Sequence, residues 1–140
     1  MILAGILGIL SIFTPTIYIS SEDTLIWVWN LTITNFIVGF VQTDEILYTL
    51  GIVATLFIAI GTLGTLFSGV VSKFKNKNTS LFAIIAGLLL IIGPIIYLGG
   101  ISSEEGIWDY FSVNVGSILP FFAGAIAILA GVMGKLKRKS

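Results

Sequence analysis

Four stretches of this chain, residues 2–19, 46–71, 81–98 and 113–133, contain no Lys, Arg, Asp or Glu. Crossing about 30 Å of hydrocarbon takes roughly 20 mostly apolar residues of helix. A helix also satisfies its own backbone where no water is present to do so. Only Ser11, Thr14 and Thr16 interrupt the first stretch with polar side chains. The rest of the composition agrees. Charged residues are 10% of the chain and apolar types 56%, against about 25% charged in a soluble domain. The mean hydropathy is +1.09. The expected fold is therefore an all-α integral membrane protein with four transmembrane helices in one membrane domain, residues 1–140. The first stretch has neither a basic leader nor a small-x-small cleavage site, so it reads as a retained span.

Charge supplies the orientation. The seven basic residues are Lys73, Lys75 and Lys77 between spans two and three, and Lys135, Lys137, Arg138 and Lys139 after span four. The seven acids, Glu22, Asp23, Asp44, Glu45, Glu104, Glu105 and Asp109, all lie in the other two loops. Basic loops stay in the cytoplasm, which puts both termini inside and predicts a multi-pass protein of a plasma or cytoplasmic membrane. The same basic residues are candidates for contact with anionic lipid, at about 1 kcal/mol each near the surface. Trp27, Trp29 and Trp108 fall toward the outer ends, as interfacial anchors do.

The chain also resembles itself. At an offset of 79, residues 8–18 (Gly-Ile-Leu-Ser-Ile-Phe-Thr-Pro-Thr-Ile-Tyr) lie over residues 87–97 (Gly-Leu-Leu-Leu-Ile-Ile-Gly-Pro-Ile-Ile-Tyr), and Trp29 lies over Trp108. Coincident Pro, Tyr and Trp carry weight because they are scarce here. The reading is two tandem, duplicated parallel hairpins, residues 1–77 and 81–140. The first carries a longer outer loop, residues 20–45. Within it, residues 24–41 are diluted by Asn30, Thr32, Thr34 and Asn35. They are expected to lie along the outer interface as a cap, and periodicity leaves helix and strand both open.

Small residues that permit close helix approach drive packing in lipid, and they recur at four-residue spacing. Ala4 and Gly8 match Ala83 and Gly87. Span two offers Gly51, Thr55 and Ala59 on one face and Gly61, Thr65 and Gly69 on another, and span four has Ala123, Ala127 and Gly131. These are the expected packing positions, with one face of span two a candidate surface for docking a partner. Pro15 and Pro94, each removing a backbone donor, are the expected kinks; Pro120 begins the apolar core of span four.

No reactive group accompanies this architecture. The chain has no Cys and no His, which removes thiolate chemistry, histidine-ligated metals and the commonest general base. No cofactor or metal is expected, and the zero net charge argues against nucleic acid. Small four-helix multidrug exporters resemble the chain in size, and the duplicated-hairpin proteolipids of rotary ATPases resemble its repeat plan. Both need an intramembrane carboxylate, which is missing. The loop order, with a longer first outer loop, a short inner loop and a basic tail, is similar to claudin-like tetraspans. Their Gly-Leu-Trp element and paired cysteines are not here, so no family is claimed. The adjacent acids Glu22-Asp23 and Glu104-Glu105 read as solvated loop charge. Asn30-Leu31-Thr32 and Asn78-Thr79-Ser80 fit the glycosylation sequon, the second on the inner side.

The expected function is a non-enzymatic structural or accessory subunit. It would act through helix packing with lipids, other membrane subunits or its own copies. The alternative is an oligomeric channel or carrier for a neutral or apolar solute, lined by Thr55, Thr62, Thr65 and Ser68 of span two.

Overall fold

The computed structural model describes residues 1–35, 37–40, 45–75, 79–103, 109 and 111–136. The described residues are mostly helical and hold four helices: α1 (Ile2–Phe13), α2 (Glu45–Lys75), α3 (Ser80–Ile101) and α4 (Val115–Leu136). Three of them, α2, α3 and α4, are long and apolar enough to cross a membrane. Helix α1 has 12 residues and spans about 18 Å at 1.5 Å per residue.

Small residues decide how the helices meet. Neighbours in sequence pack side by side, and α4 closes back on α1, so α1 and α3 lie across the bundle from each other. In α3 the buried positions Ala83, Ala86, Gly87, Leu90, Gly93, Pro94, Tyr97 and Ile101 recur at helical spacing. In α4 they are Gly116, Ser117, Pro120, Ala123, Gly124, Ala127 and Gly131. Large aliphatic side chains fill the opposite faces: Leu56, Ile60 and Leu63 on α2, Ile85, Leu88 and Ile92 on α3. That inversion of large and small is the packing grammar of helices in lipid.

The described residues between α1 and α2 are not helical. Strands β1 (Ile17–Ile19), β2 (Thr24–Ile26), β3 (Leu31–Thr34) and β4 (Ile37–Phe40) lie in the connection between α1 and α2, and β5 (Phe111–Val113) in the one between α3 and α4. They form one antiparallel sheet in the order β4-β3-β2-β1-β5. The pairing of Ile17 with Val113 and Ile19 with Phe111 stitches the two loops together. Three turn residues adopt positive φ, Asp23, Asn30 and Asn35; short polar side chains tolerate this conformation best after glycine. Thr24 and Thr34 lie opposite each other and share a 2.6 Å hydroxyl contact. Ile17, Ile26 and Val28 from the sheet end of the molecule join Ala54, Ile58, Leu90, Tyr97, Ile101 and Ala123 in one core.

Two expectations are thereby corrected. The all-α expectation gives way to a β cap: helix and strand were both open for residues 24–41, and their described part holds strands β2, β3 and β4. The first span was expected to run over residues 2–19, but its helix stops at Phe13, and residues 17–19 are strand β1. Pro15 is the cause. It disfavours helical backbone in the residue before it, and Thr14 is extended, with ψ 144°. Pro15 thus ends α1 and does not kink it. Pro94, its counterpart at the 79-residue offset, lies inside the continuous helix α3, and Pro120 lies inside α4. The matched segments therefore part company beyond this point: Ile17–Ile19 is strand, and the corresponding residues 96–98 are helix.

Candidate functional site

The chemistry-bearing residues of the described chain gather where the short helix α1 gives way to the sheet. A helix ends with four carbonyls that lack intrahelical partners; in α1 these belong to Leu10, Ser11, Ile12 and Phe13. The Thr14 hydroxyl donates to the Leu10 carbonyl at 2.9 Å and lies 3.4 Å from that of Ser11. The Trp29 indole N–H donates to the Ile12 carbonyl, and the Trp27 indole N–H to that of Phe13, each at 2.9 Å. Two tryptophans from the turn between β2 and β3 therefore cap the helix from outside it. Leaving such a carbonyl buried and unpaired costs about 1–3 kcal/mol, and more in hydrocarbon.

The turn that carries them is equally fixed. The Asn30 N–H donates to the Trp27 carbonyl and the Trp27 N–H to the Leu31 carbonyl, both at 2.9 Å. Asn30 then takes positive φ, as in a hairpin loop closed by a type I turn and a left-handed residue. Its side chain is 2% exposed, and its amide donates to the Tyr48 carbonyl of α2 at 2.9 Å. A Cβ on Gly51 would fall 2.6 Å from the Asn30 amide and 2.7 Å from the Val28 carbonyl. Only glycine lets the turn seat on α2 this closely.

Thr16 ties the remaining elements together. Its N–H and its hydroxyl both donate to the Ile26 carbonyl of β2, at 2.7 and 2.9 Å. Its own carbonyl accepts from the Asn114 N–H at 2.8 Å and the Ser117 hydroxyl at 2.7 Å, at the start of α4. The Tyr97 hydroxyl of α3 reaches the same threonine. The Gly116 N–H donates to the Pro15 carbonyl at 3.0 Å, and a Cβ at Gly116 would collide with the Thr14 and Pro15 carbonyls. The backbone from Thr14 to Thr16 is irregular, yet the Pro15 carbonyl and both backbone groups of Thr16 have partners on α4 and in the sheet.

The expected packing positions fall mostly inside the bundle. Ala4, Ala83, Ala123 and Ala127 are fully buried. Gly87 and Gly124 meet backbone to backbone: a Cβ at either would lie 2.8 or 2.6 Å from the other's carbonyl oxygen. Gly61 faces Ala86 and Leu90 of α3, Gly69 faces Met1 and Ile2, and Gly131 faces Ser80 and Ile84. Thr55 and Ala59 are half-buried, with the Thr55 hydroxyl on the Gly51 carbonyl at 2.7 Å. The candidate docking stripe of span two is thus largely occupied from within, by the β2–β3 turn at Gly51, α1 at Thr65 and Gly69, and α3 at Gly61.

The hydroxyls expected along a solute path also point inward. Thr65 donates to the Thr62 carbonyl at 2.8 Å. Ser68 lies 2.9 Å from the Met1 sulfur and 3.2 Å from the Thr79 carbonyl, and Thr79 donates back to the Ser68 carbonyl at 3.0 Å. The Thr62 hydroxyl is the one buried side-chain polar atom among the described residues without a hydrogen-bond partner. It sits where a Gly8 Cβ would be, so a Gly8 Cα–H points at it, a weak contact that recurs where helices touch.

At the end of the bundle away from the sheet, Lys73 is exposed, with its ammonium 5.9 Å from the Phe74 ring centroid. Lys75 is the last residue of α2 and Lys135 lies exposed in the last turn of α4. Trp108, Lys77, Lys137, Arg138, Lys139, Glu104, Glu105 and the sequon residue Asn78 lie outside the described residues. Sequence reasoning gave Thr16, Asn114 and Ser117 no role. The only signals were Pro15 next to Thr16 and an Asn just before an apolar helix. The chain matches no family model, no curated protein and no solved structure.

Proposed function

We propose that this protein is a non-enzymatic structural or accessory subunit of a membrane complex, or a self-associating tetraspan-type protein. It presents a β-capped helical bundle against which other membrane subunits, or further copies, pack. The observation that carries this reading is the state of the interior. Glycines bring the helices into close contact across it, and the buried hydroxyls of Ser11, Thr16, Thr65 and Ser117 are spent on backbone carbonyls. Such an interior braces; among the described residues only the Thr62 hydroxyl is buried there without a partner. Because the small-residue stripes are used internally, association falls to the exposed apolar stripe of α2, including Ile52, Leu56, Ile60, Leu63 and Phe67. The inner lysines favour a cytoplasmic placement of both termini, and the 79-residue offset favours descent of the two hairpins from one. Purification from native membranes in mild detergent is expected to yield a stoichiometric partner or a defined homo-oligomer. A lone monomer would count against the proposal.

One observation favours the second reading, passage of a neutral or apolar solute. The unpartnered Thr62 hydroxyl lies in a row with Thr65 and Ser68. Gly5 and Gly8 of α1 pack onto this row, so such a path requires α1 to part from α2. Liposome flux that Thr62→Val and Thr65→Val abolish would favour it.

A further inference from the structure

Contacts along α2 give a depth scale. At the inner end Gly69 meets Met1 and Ile2; farther along, Gly8 meets Thr62; at the outer end Gly51 meets Val28 and Asn30. Between Gly69 and Gly51 the helix rises about 27 Å, close to the ~30 Å of a bilayer's hydrocarbon. Gly100, one residue from the end of α3, meets Leu50, so the turn between β2 and β3 sits level with the sheet-side end of α3, while α2, which starts at Glu45, runs about 9 Å beyond it. Helix α1 starts beside Gly69 and stops at Phe13. It leaves the outermost ~10 Å of that depth uncovered at 1.5 Å per residue.

What fills the gap is the β2–β3 turn. The Trp27 and Trp29 indoles reach back to the carbonyls of Phe13 and Ile12. With both indole N–H groups spent there, the rings carry no unsatisfied donor and lose nothing by leaving water. Trp29 packs against the core, Trp27 is half-exposed, and Phe13 is 70% exposed. A phenylalanine side chain this open, at the end of a helix that stops short of the headgroups, is suited to acyl chains.

We propose that Phe13 and Trp27 contact the acyl chains of the sheet-side leaflet, below its headgroups, and that the β2–β3 turn completes inside the bilayer the crossing that α1 begins. This rests on the membrane reading above. An open helix end and nonhelical backbone are admissible at such depth only where protein satisfies them; the Thr14, Trp27 and Trp29 side chains do so for the last carbonyls of α1, and the Trp27 and Asn30 N–H bonds close the turn itself. The turn thereby acts as a protein-made extension of a helix, with lipid as its partner surface.

The chain has no cysteine, so Phe13→Cys offers a single thiol for a nitroxide. The labelled protein is reconstituted into phosphatidylcholine vesicles and floated on a density gradient. The nitroxide is expected to be relaxed by dissolved oxygen far more than by a water-soluble nickel chelate. Separately, the fluorescence that Trp27 contributes, measured as wild type minus Trp27→Phe, is expected to fall more with lipid brominated deep in the chain than with lipid brominated next to the headgroup. Flotation with the opposite preference in either measurement would overturn the inference and leave the membrane reading standing. Failure to float would remove both.

Discussion

The Asn30 side-chain amide donates to the Tyr48 carbonyl at 2.9 Å across the junction of sheet and bundle. The same nitrogen is the atom a glycan would occupy in the sequon Asn30-Leu31-Thr32, and Gly51 closes over it. Modification and the folded state are therefore mutually exclusive. In a translation system supplied with glycosylating membranes, folded protein is expected to carry no glycan at Asn30, and any modified fraction is expected to be protease-sensitive. A folded, glycosylated product would contradict the geometry.

Asn30 also tests two local terms separately. Its φ is 66°, which glycine accepts and alanine resists. Asn30→Gly removes only the amide bond and is expected to cost about 1–2 kcal/mol. Asn30→Ala adds backbone strain of roughly 1–2 kcal/mol and should be the worse of the two in thermal unfolding in detergent. Equal losses would mean that the turn relaxes away from its left-handed conformation.

Why the long helices could be read from the chain and the junction could not follows from what hydropathy measures. Helices α2, α3 and α4 are stretches where burial and lipid exposure both demand apolar side chains, so absence of charge alone locates them. Ile17, Tyr18 and Ile19 are as apolar as a span, but they are apolar because Ile17 joins the core from a strand. A count of apolar residues does not distinguish the two, and only Pro15 marked the change. The cap signalled itself more weakly, through β-branched residues in residues 31–34 and Asp or Asn at positions 23, 30 and 35, each now seen at positive φ. Thr16, Asn114 and Ser117 left no pattern because their bonds run from side chain to distant backbone. No spacing rule encodes a contact between residues 16 and 117. The small-residue stripes were visible, but which helix each would meet was not.

Gly87 and Gly124 mark a close approach of α3 and α4. Either residue replaced by alanine puts a methyl within 2.8 Å of the facing carbonyl. Overpacking of this kind costs about 1–3 kcal/mol, against a helix-propensity gain of up to about 1 kcal/mol, so both variants should unfold earlier in detergent. Gly99→Ala is the control. Nothing lies within 4 Å of its Cβ position, and it should be neutral or slightly stabilising. Equal behaviour of all three would refute the close crossing.

The bonds at Thr16 predict a local effect on exchange. Ser117→Ala deletes the donor to the Thr16 carbonyl at about 1 kcal/mol, leaving the Asn114 N–H there alone. Hydrogen exchange at the Asn114 and Gly116 amides should accelerate, with α2 unchanged. Thr16→Val, which keeps the shape and removes the hydroxyl bond to Ile26, should instead loosen the start of β1 against β2. Uniform acceleration across the chain in both variants would mean that the node has no local identity.

Tyr18 provides a pH test on the sheet's exposed side. Its hydroxyl donates to the Asp23 Oδ1 at 2.9 Å. That hydrogen bond first, then the carboxylate's negative charge, and last a small desolvation raise its pKa above the ordinary value of 10.0. Folded protein therefore holds the phenol proton more tightly than unfolded chain does. The contribution to stability is fully present below about pH 10 and is lost as pH rises through the raised folded value. The pair is solvent-exposed and salt will screen it. Asp23→Asn is the informative variant: asparagine tolerates the positive φ of position 23 and removes the charge. Ultraviolet titration, with Tyr18→Phe as the blank, should show tyrosinate forming at lower pH in Asp23→Asn than in wild type. The alkaline loss of stability relative to Tyr18→Phe should shrink in parallel. An unchanged titration midpoint would show that the hydrogen bond seen between strand β1 and its turn is not held in solution.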